Sequence, residues 1–174
     1  MRTSLQGGDR IRRLVYTAAF LCAALMLSLA ESILLPTGLF PIPGAKPGLA
    51  NAAVLQCAVI LDRRHAAAVS LARVTLMFIL FGTGTSAIYS FSGATLSFIG
   101  IALFSRNTHL SFFGKSIIAA VLHNVAQALC AMLIFGLPAA VLIPWMIVAA
   151  VICGGFTGLL LNLIYPTVIK SVRI

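Results

Sequence analysis

Arg73 sits inside SLARVTLMFILFG, residues 70–82, with at least seven mostly apolar residues on either side. An arginine at the centre of a lipid-embedded helix costs roughly 3 kcal/mol or more, so it must face a bundle interior or a wet cavity. The one carboxylate inside an apolar segment is Glu31. Arg73 and Glu31 therefore read in two ways: as a buried ion pair that fixes helix packing, or as a cation held for an anionic ligand with Glu31 as its partner. A second polar group is HNVAQ, residues 123–127. His123 and Gln127 are four apart and share a helix face, with Asn124 beside them. They either hydrogen-bond between helices or line a polar pocket. Metal ligation by His123 is disfavoured, because no second histidine or acid stands at ligand spacing, and no metal is expected. Asn51 follows a proline- and glycine-rich stretch and is either a helix cap or a pocket donor. Lys46 within that stretch is either a solvated lysine or part of a lid over the pocket.

The elements that must position these residues are membrane helices. Of 174 residues, 61% are hydrophobic, and the mean hydropathy is +1.10. A soluble domain is only about half apolar. Six apolar segments run about 14–35, 48–61, 66–81, 86–104, 115–136 and 140–165. The second and third are short against the roughly 20 residues of a full span, so tilt, extension by their flanks or partial burial within the bundle is expected there. LLPTGLFPIPGAKPG, residues 34–48, holds four prolines and excludes a continuous helix. The chain reads as an all-α, six-transmembrane-helix bundle over residues 14–165. A basic N-terminus, 1–13, precedes it and a short tail, 166–174, follows.

Twelve basic residues against three acidic ones give a net charge of +9. No basic face with interleaved aromatics is present, so a nucleic-acid partner is not expected, and the charge is a topology signal. With six spans, Arg10, Arg12, Arg13, Arg63, Arg64, Arg106, Lys115, Lys170 and Arg173 all fall on one side. Lys46 alone stands in the opposite loops. Both termini are then cytoplasmic, and residues 36–47 lie outside, in a bacterial cytoplasmic (inner) membrane. The first apolar run lacks an A-x-A cleavage pattern and reads as a retained helix. Cys22, Cys57, Cys130 and Cys153 lie in separate apolar segments with no C-x-x-C, as small hydrophobes or, if their thiolates converge, an iron–sulfur site. Ala19-x-x-x-Ala23 and Gly154-x-x-x-Gly158 have the spacing of close helix–helix contacts.

Two resemblances add to this reading. SGATLS, residues 92–97, resembles the flavin-attachment motif in membrane subunits of Rnf and sodium-pumping quinone reductase complexes. That likeness implies FMN carried on Thr95 through a phosphoester, at the outer start of the fourth helix. SGAT at a helix start equally suits close packing. Over residues 14–165, ESILLP…IPGAKPGLAN, LARVTLMFILFGT and VLHNVAQ, in that order, resemble the heptaprenyl diphosphate synthase component I family, also called the Gx transporter family. That resemblance implies kinship with the six-helix S components of energy-coupling-factor transporters. Those bind a small molecule in an outer-side pocket capped by the loop after helix 1, and their Ala-x-x-x-Ala contacts the membrane coupling protein. Ala19 and Ala23 match that spacing.

The enzymatic family name fails a chemical test. Prenyl chain elongation needs clustered aspartates to hold magnesium against diphosphates. Here the two aspartates, Asp9 and Asp62, both lie outside the apolar segments, and no G-x-x-x-x-G-K-[ST] occurs. The expected function is a non-catalytic, membrane-embedded substrate-binding component of an importer, with no cofactor. Its pocket draws on Arg73, Lys46, Asn51, His123, Asn124 and Gln127, and separate coupling and ATPase subunits supply the energy. The alternatives are a flavin or quinone electron-transfer subunit and a non-catalytic accessory subunit in polyprenyl diphosphate synthesis.

Overall fold

The computed structural model describes residues 2–34, 48–82 and 84–171. They form six α-helices: α1 (Arg2–Leu34), α2 (Asn51–Ile60), α3 (Arg63–Phe81), α4 (Gly84–Phe104), α5 (Phe112–Phe135) and α6 (Ile143–Ser171). A 3₁₀ segment, Leu137–Leu142, joins α5 to α6. No strand occurs among the described residues. Five helical stretches are long and apolar enough to cross a membrane: Gly8–Ile33, Arg63–Phe81, Gly84–Phe104, Phe112–Phe135 and Leu137–Lys170. Large apolar side chains such as Ile33, Leu133, Trp145 and Leu163 cover the outside of the bundle. That is the surface a lipid solvent selects, since hydrocarbon imposes no penalty on exposed leucine.

The sixth helix differs from the rest. α2 has ten residues, about half the length of a full span. Asn51 through Ala58 are all buried, and α2 packs against each of the other five helices. A helix that is apolar all round belongs in an interior. The second segment is therefore the axis around which the bundle is built.

Helix ends show how the chain turns. Asp62 caps α3, its Oδ1 accepting from the His65 backbone N–H at 2.9 Å. The imidazole of His65 lies 2.8 Å from the same carboxylate, and Arg13 of α1 approaches it at 3.6 Å. Partial burial works to raise the Asp62 pKa, but the hydrogen bonds and charge of His65 and the Arg64 backbone N–H outweigh it and hold the carboxyl below its ordinary value. The Arg13–Asp62 contact sets the start of α3 beside the N-terminal half of α1. At the other end, the Leu49 N–H donates to Glu31 Oε1 near the end of α1. Residues 48–62 thus return the chain from the Glu31 end of α1 to its Arg13 end.

α5 and α6 pack closely through glycine. A Cβ on Gly154 would lie 2.9 Å from Ala120 Cβ and from Ile117 Cα, and one on Gly158 would lie 2.6 Å from Phe113 Cα. Between them Ser116 and Thr157 share a hydrogen bond of 2.7 Å. The Gly154-x-x-x-Gly158 spacing is therefore a helix contact. Lys115, counted as a loop cation in the sequence, is buried at the start of α5. Its Nζ donates to the Ser105 carbonyl at 3.0 Å, which places a positive charge at the C-terminal end of α4, where the helix dipole favours it. Two boundaries also shift. α1 already begins at Arg2, inside the basic N-terminus, and α6 runs past Pro166 to Ser171.

Candidate functional site

Four of the polar residues singled out in the sequence line one small cavity between α1, α3, α4 and α5. Its walls are Ser28 and Glu31 from α1, Arg73, Val74 and Met77 from α3, Ser90 from α4, and His123 and Gln127 from α5. The volume is about 20 Å³. A space of that size holds a water-sized guest, and a larger one requires the walls to part.

Arg73 is only 5% exposed. Its Nη1 donates to Ser28 Oγ at 3.2 Å, which fixes the plane of the guanidinium. Its Nε and Nη2 are buried and have no hydrogen-bond partner among the described residues. Leaving charged donors dry and unsatisfied costs more than the 1–3 kcal/mol or so typical of a neutral group. The α1 side of the pocket follows helical spacing, because Ser28 and Glu31 are three residues apart and share a face.

His123 is the best-anchored member. Its Nδ1 lies 3.2 Å from Asn51 Nδ2 of α2, and its Nε2 lies 3.0 Å from Gln127 Nε2 one turn along α5. A neutral imidazole has one donor and one acceptor nitrogen, so it can accept from only one of these amides. The ring N–H needs an acceptor, which the carbonyl oxygen of the other amide or the Gly93 backbone carbonyl supplies. Two glycines make room for the imidazole. A Cβ on Gly93 of α4 would fall 2.6 Å from His123 Cε1, and one on Gly48 would fall 3.2 Å from His123 Cδ2. Gly48 also has φ +84°, a conformation that favours glycine. Gly48, just before α2, thus lies directly against His123.

The remaining candidates separate from this group. Asn51 joins it through His123 and does not face the cavity itself. Asn124 is fully buried and donates to the Ala120 carbonyl at 3.1 Å, outside the cavity wall. Lys46 lies outside the described residues. Ala19 and Ala23 are exposed on the outer face of α1. Thr95 lies eleven residues into α4, near mid-helix and away from the outer start expected for it. Its hydroxyl donates to the Phe91 carbonyl at 2.8 Å. It borders a largely apolar groove of about 220 Å³ between α3 and α4, lined also by Ser70, Leu71, Val74, Phe91 and Phe98.

Sequence reasoning missed Ser28, Ser90 and the part played by Gly93. Ser28 carried a signal, one turn before Glu31. Gly93 was visible only within SGAT, and its role is to seat the imidazole. Cys57 is buried, Cys130 and Cys153 are half-buried and Cys22 is exposed, and all four are free thiols.

A family model described as heptaprenyl diphosphate synthase component I matches residues 20–164. The match takes in every residue of the cavity wall. No curated protein matches the chain. No solved structure matches it.

Proposed function

We propose a function from one premise: the chain belongs to the heptaprenyl diphosphate synthase component I family. Within that family the chain acts as the membrane-embedded substrate-binding subunit of an energy-coupling-factor-type importer, for a small anionic molecule. The observation that carries this reading is Arg73, a buried cation with two unused donor nitrogens, in the wall of a cavity formed by four helices. Such a residue is expensive in a membrane protein that uses it only for packing. Its neighbours Ser28, Ser90, His123 and Gln127 supply neutral hydrogen-bonding groups that orient a small guest.

The reading has a topology. Six crossings, with both termini in the bacterial cytoplasm, are supported by the return of residues 48–62 across the bundle and by the shared side of the basic residues. Gly48 and Leu49 touch His123 and Glu31, which supports a pocket reached from the side of the chain that follows α1. Lys46 belongs to the 36–47 loop and serves as a lid cation. The exposed Ala19 and Ala23 face a membrane coupling protein, which lets a partner helix approach closely. ATP hydrolysis belongs to separate subunits, and the chain itself is not an enzyme and needs no cofactor.

Membrane vesicles loaded with ATP and offered an isotope-labelled small-molecule extract of the host test this. The expected outcome is accumulation of one or a few species, dependent on ATP and lost in Arg73→Ala at equal protein level. Vesicles that show no Arg73-dependent uptake reject the importer.

One observation favours a second reading, a non-catalytic accessory role in polyprenyl diphosphate synthesis. The apolar α3–α4 groove has the character an isoprenoid tail would lie against. Loss of synthase activity on deleting the chain, with import unchanged, would support it.

A further inference from the structure

Which two nitrogens of Arg73 are unused carries information about the guest. A guanidinium offers two kinds of paired edge. The end-on edge is made by Nη1 and Nη2, and the side-on edge by Nε and the Nη2 that lies on the same side. On the side-on edge the two N–H bonds run parallel in the plane of the group, which matches the two oxygens of a planar anion. Arg73 has its end-on edge compromised, because Nη1 is already committed to Ser28 Oγ at 3.2 Å. Its side-on pair, Nε and Nη2, is buried and without a partner among the described residues. With Nη1 engaged by Ser28, the side-on edge is the one complete edge left without a protein partner among the described residues.

We infer that this edge is the specificity element of the pocket and selects a carboxylate, held side-on by Nε–H and Nη2–H. The inference rests on the substrate-binding reading and narrows it to one chemical class. One further observation favours a carboxylate over a phosphate monoester. Glu31 stands in the same wall, so a dianion would meet an opposing negative charge with one described cation to offset it. Ser90, His123 and Gln127 lie in the wall to meet the rest of the molecule.

The test uses the whole chain in lipid nanodiscs and a deproteinised small-molecule extract of the host cells in three forms. One form is untreated, one is treated with phosphatase, and in one every carboxyl group is converted to its N-methyl amide. The readout is the thermal transition of the protein as each form is titrated. Wild type is expected to be stabilised by the untreated and phosphatase-treated extracts and not by the amidated one. Arg73→Lys keeps the charge and loses the fork, so it should need about tenfold more extract for the same shift. Circular dichroism and a single gel-filtration peak establish that this variant is folded; if it is not, Ser28→Ala, which frees Nη1 and unfixes the plane, takes its place with the same expectation. Stabilisation that survives amidation overturns the carboxylate assignment, as does stabilisation abolished by phosphatase. An Arg73→Lys response equal to wild type overturns the side-on fork, while leaving the binding role in place. A folded wild type that responds to no form of the extract removes the binding role itself, and the inference with it.

Discussion

His123 is held from three elements at once, and that makes it the pocket's hinge between packing and chemistry. Asn51 and Gln127 hold its two nitrogens, and Gly93 lies under its ring. Gly93→Ala should therefore displace the imidazole and destabilise the protein by about 1–3 kcal/mol, the usual range for overpacking a tight core. The change is read as a lower thermal transition in nanodiscs, and an unchanged transition would show that the ring has room to move. Thr95 lies near mid-helix with its hydroxyl turned back to Phe91. Co-expression with a flavin transferase is expected to add no FMN mass. An added mass that disappears in Thr95→Ala would promote the electron-transfer alternative. At this scale the sequence was partly legible. Arg73, Glu31, His123 and Gln127 stood out because a charge or a polar pair in an apolar run has a cost that must be met somewhere. Ser28, Ser90 and Gly93 did not, since small residues in membrane helices are ordinary and their partners are distant in the chain.

At the scale of elements, periodicity and hydropathy located every helix, and most ends moved by a few residues, as caps and tertiary contacts decide them, while α1 starts at Arg2 and not near 14. The short second segment had three readings, tilt, extension by its flanks or burial, and its burial against all five neighbours makes it the core of the bundle. Length alone does not carry that information. Two elements have testable energetics. Asp62 caps α3 and gathers His65 and Arg13. Asp62→Ala should cost about 1 kcal/mol, the typical loss for a removed cap. The sign of its pH dependence follows from its lowered pKa. The carboxylate contributes fully above the unfolded value of about 4 and loses its contribution as pH falls through the lower folded value. The difference between wild type and Asp62→Asn should therefore narrow in acid, and a gap that widens there would contradict the assignment. In α6, Gly158→Leu would drive a side chain into the Phe113 backbone. Loss of the α5–α6 contact, seen as failure to yield a monodisperse protein, is expected.

For the whole molecule, topology joins the two ends of the account. In a background lacking Cys22, Cys57, Cys130 and Cys153, Lys46→Cys should react with an impermeant thiol reagent in intact cells, and Arg64→Cys should not. The reverse pattern would invert the bundle and put the pocket's approach on the wrong face for import. The all-helical architecture was readable because its solvent is written in the composition. Which helices meet around Arg73 was not, because the contact with Ser28 spans 45 positions of sequence. The most direct test of the central claim is native mass spectrometry of the chain released from its host membrane. Wild type should carry a single non-lipid small-molecule adduct, and folded Arg73→Ala should lack it. The same adduct on both proteins, or none on wild type, would contradict a pocket built around Arg73.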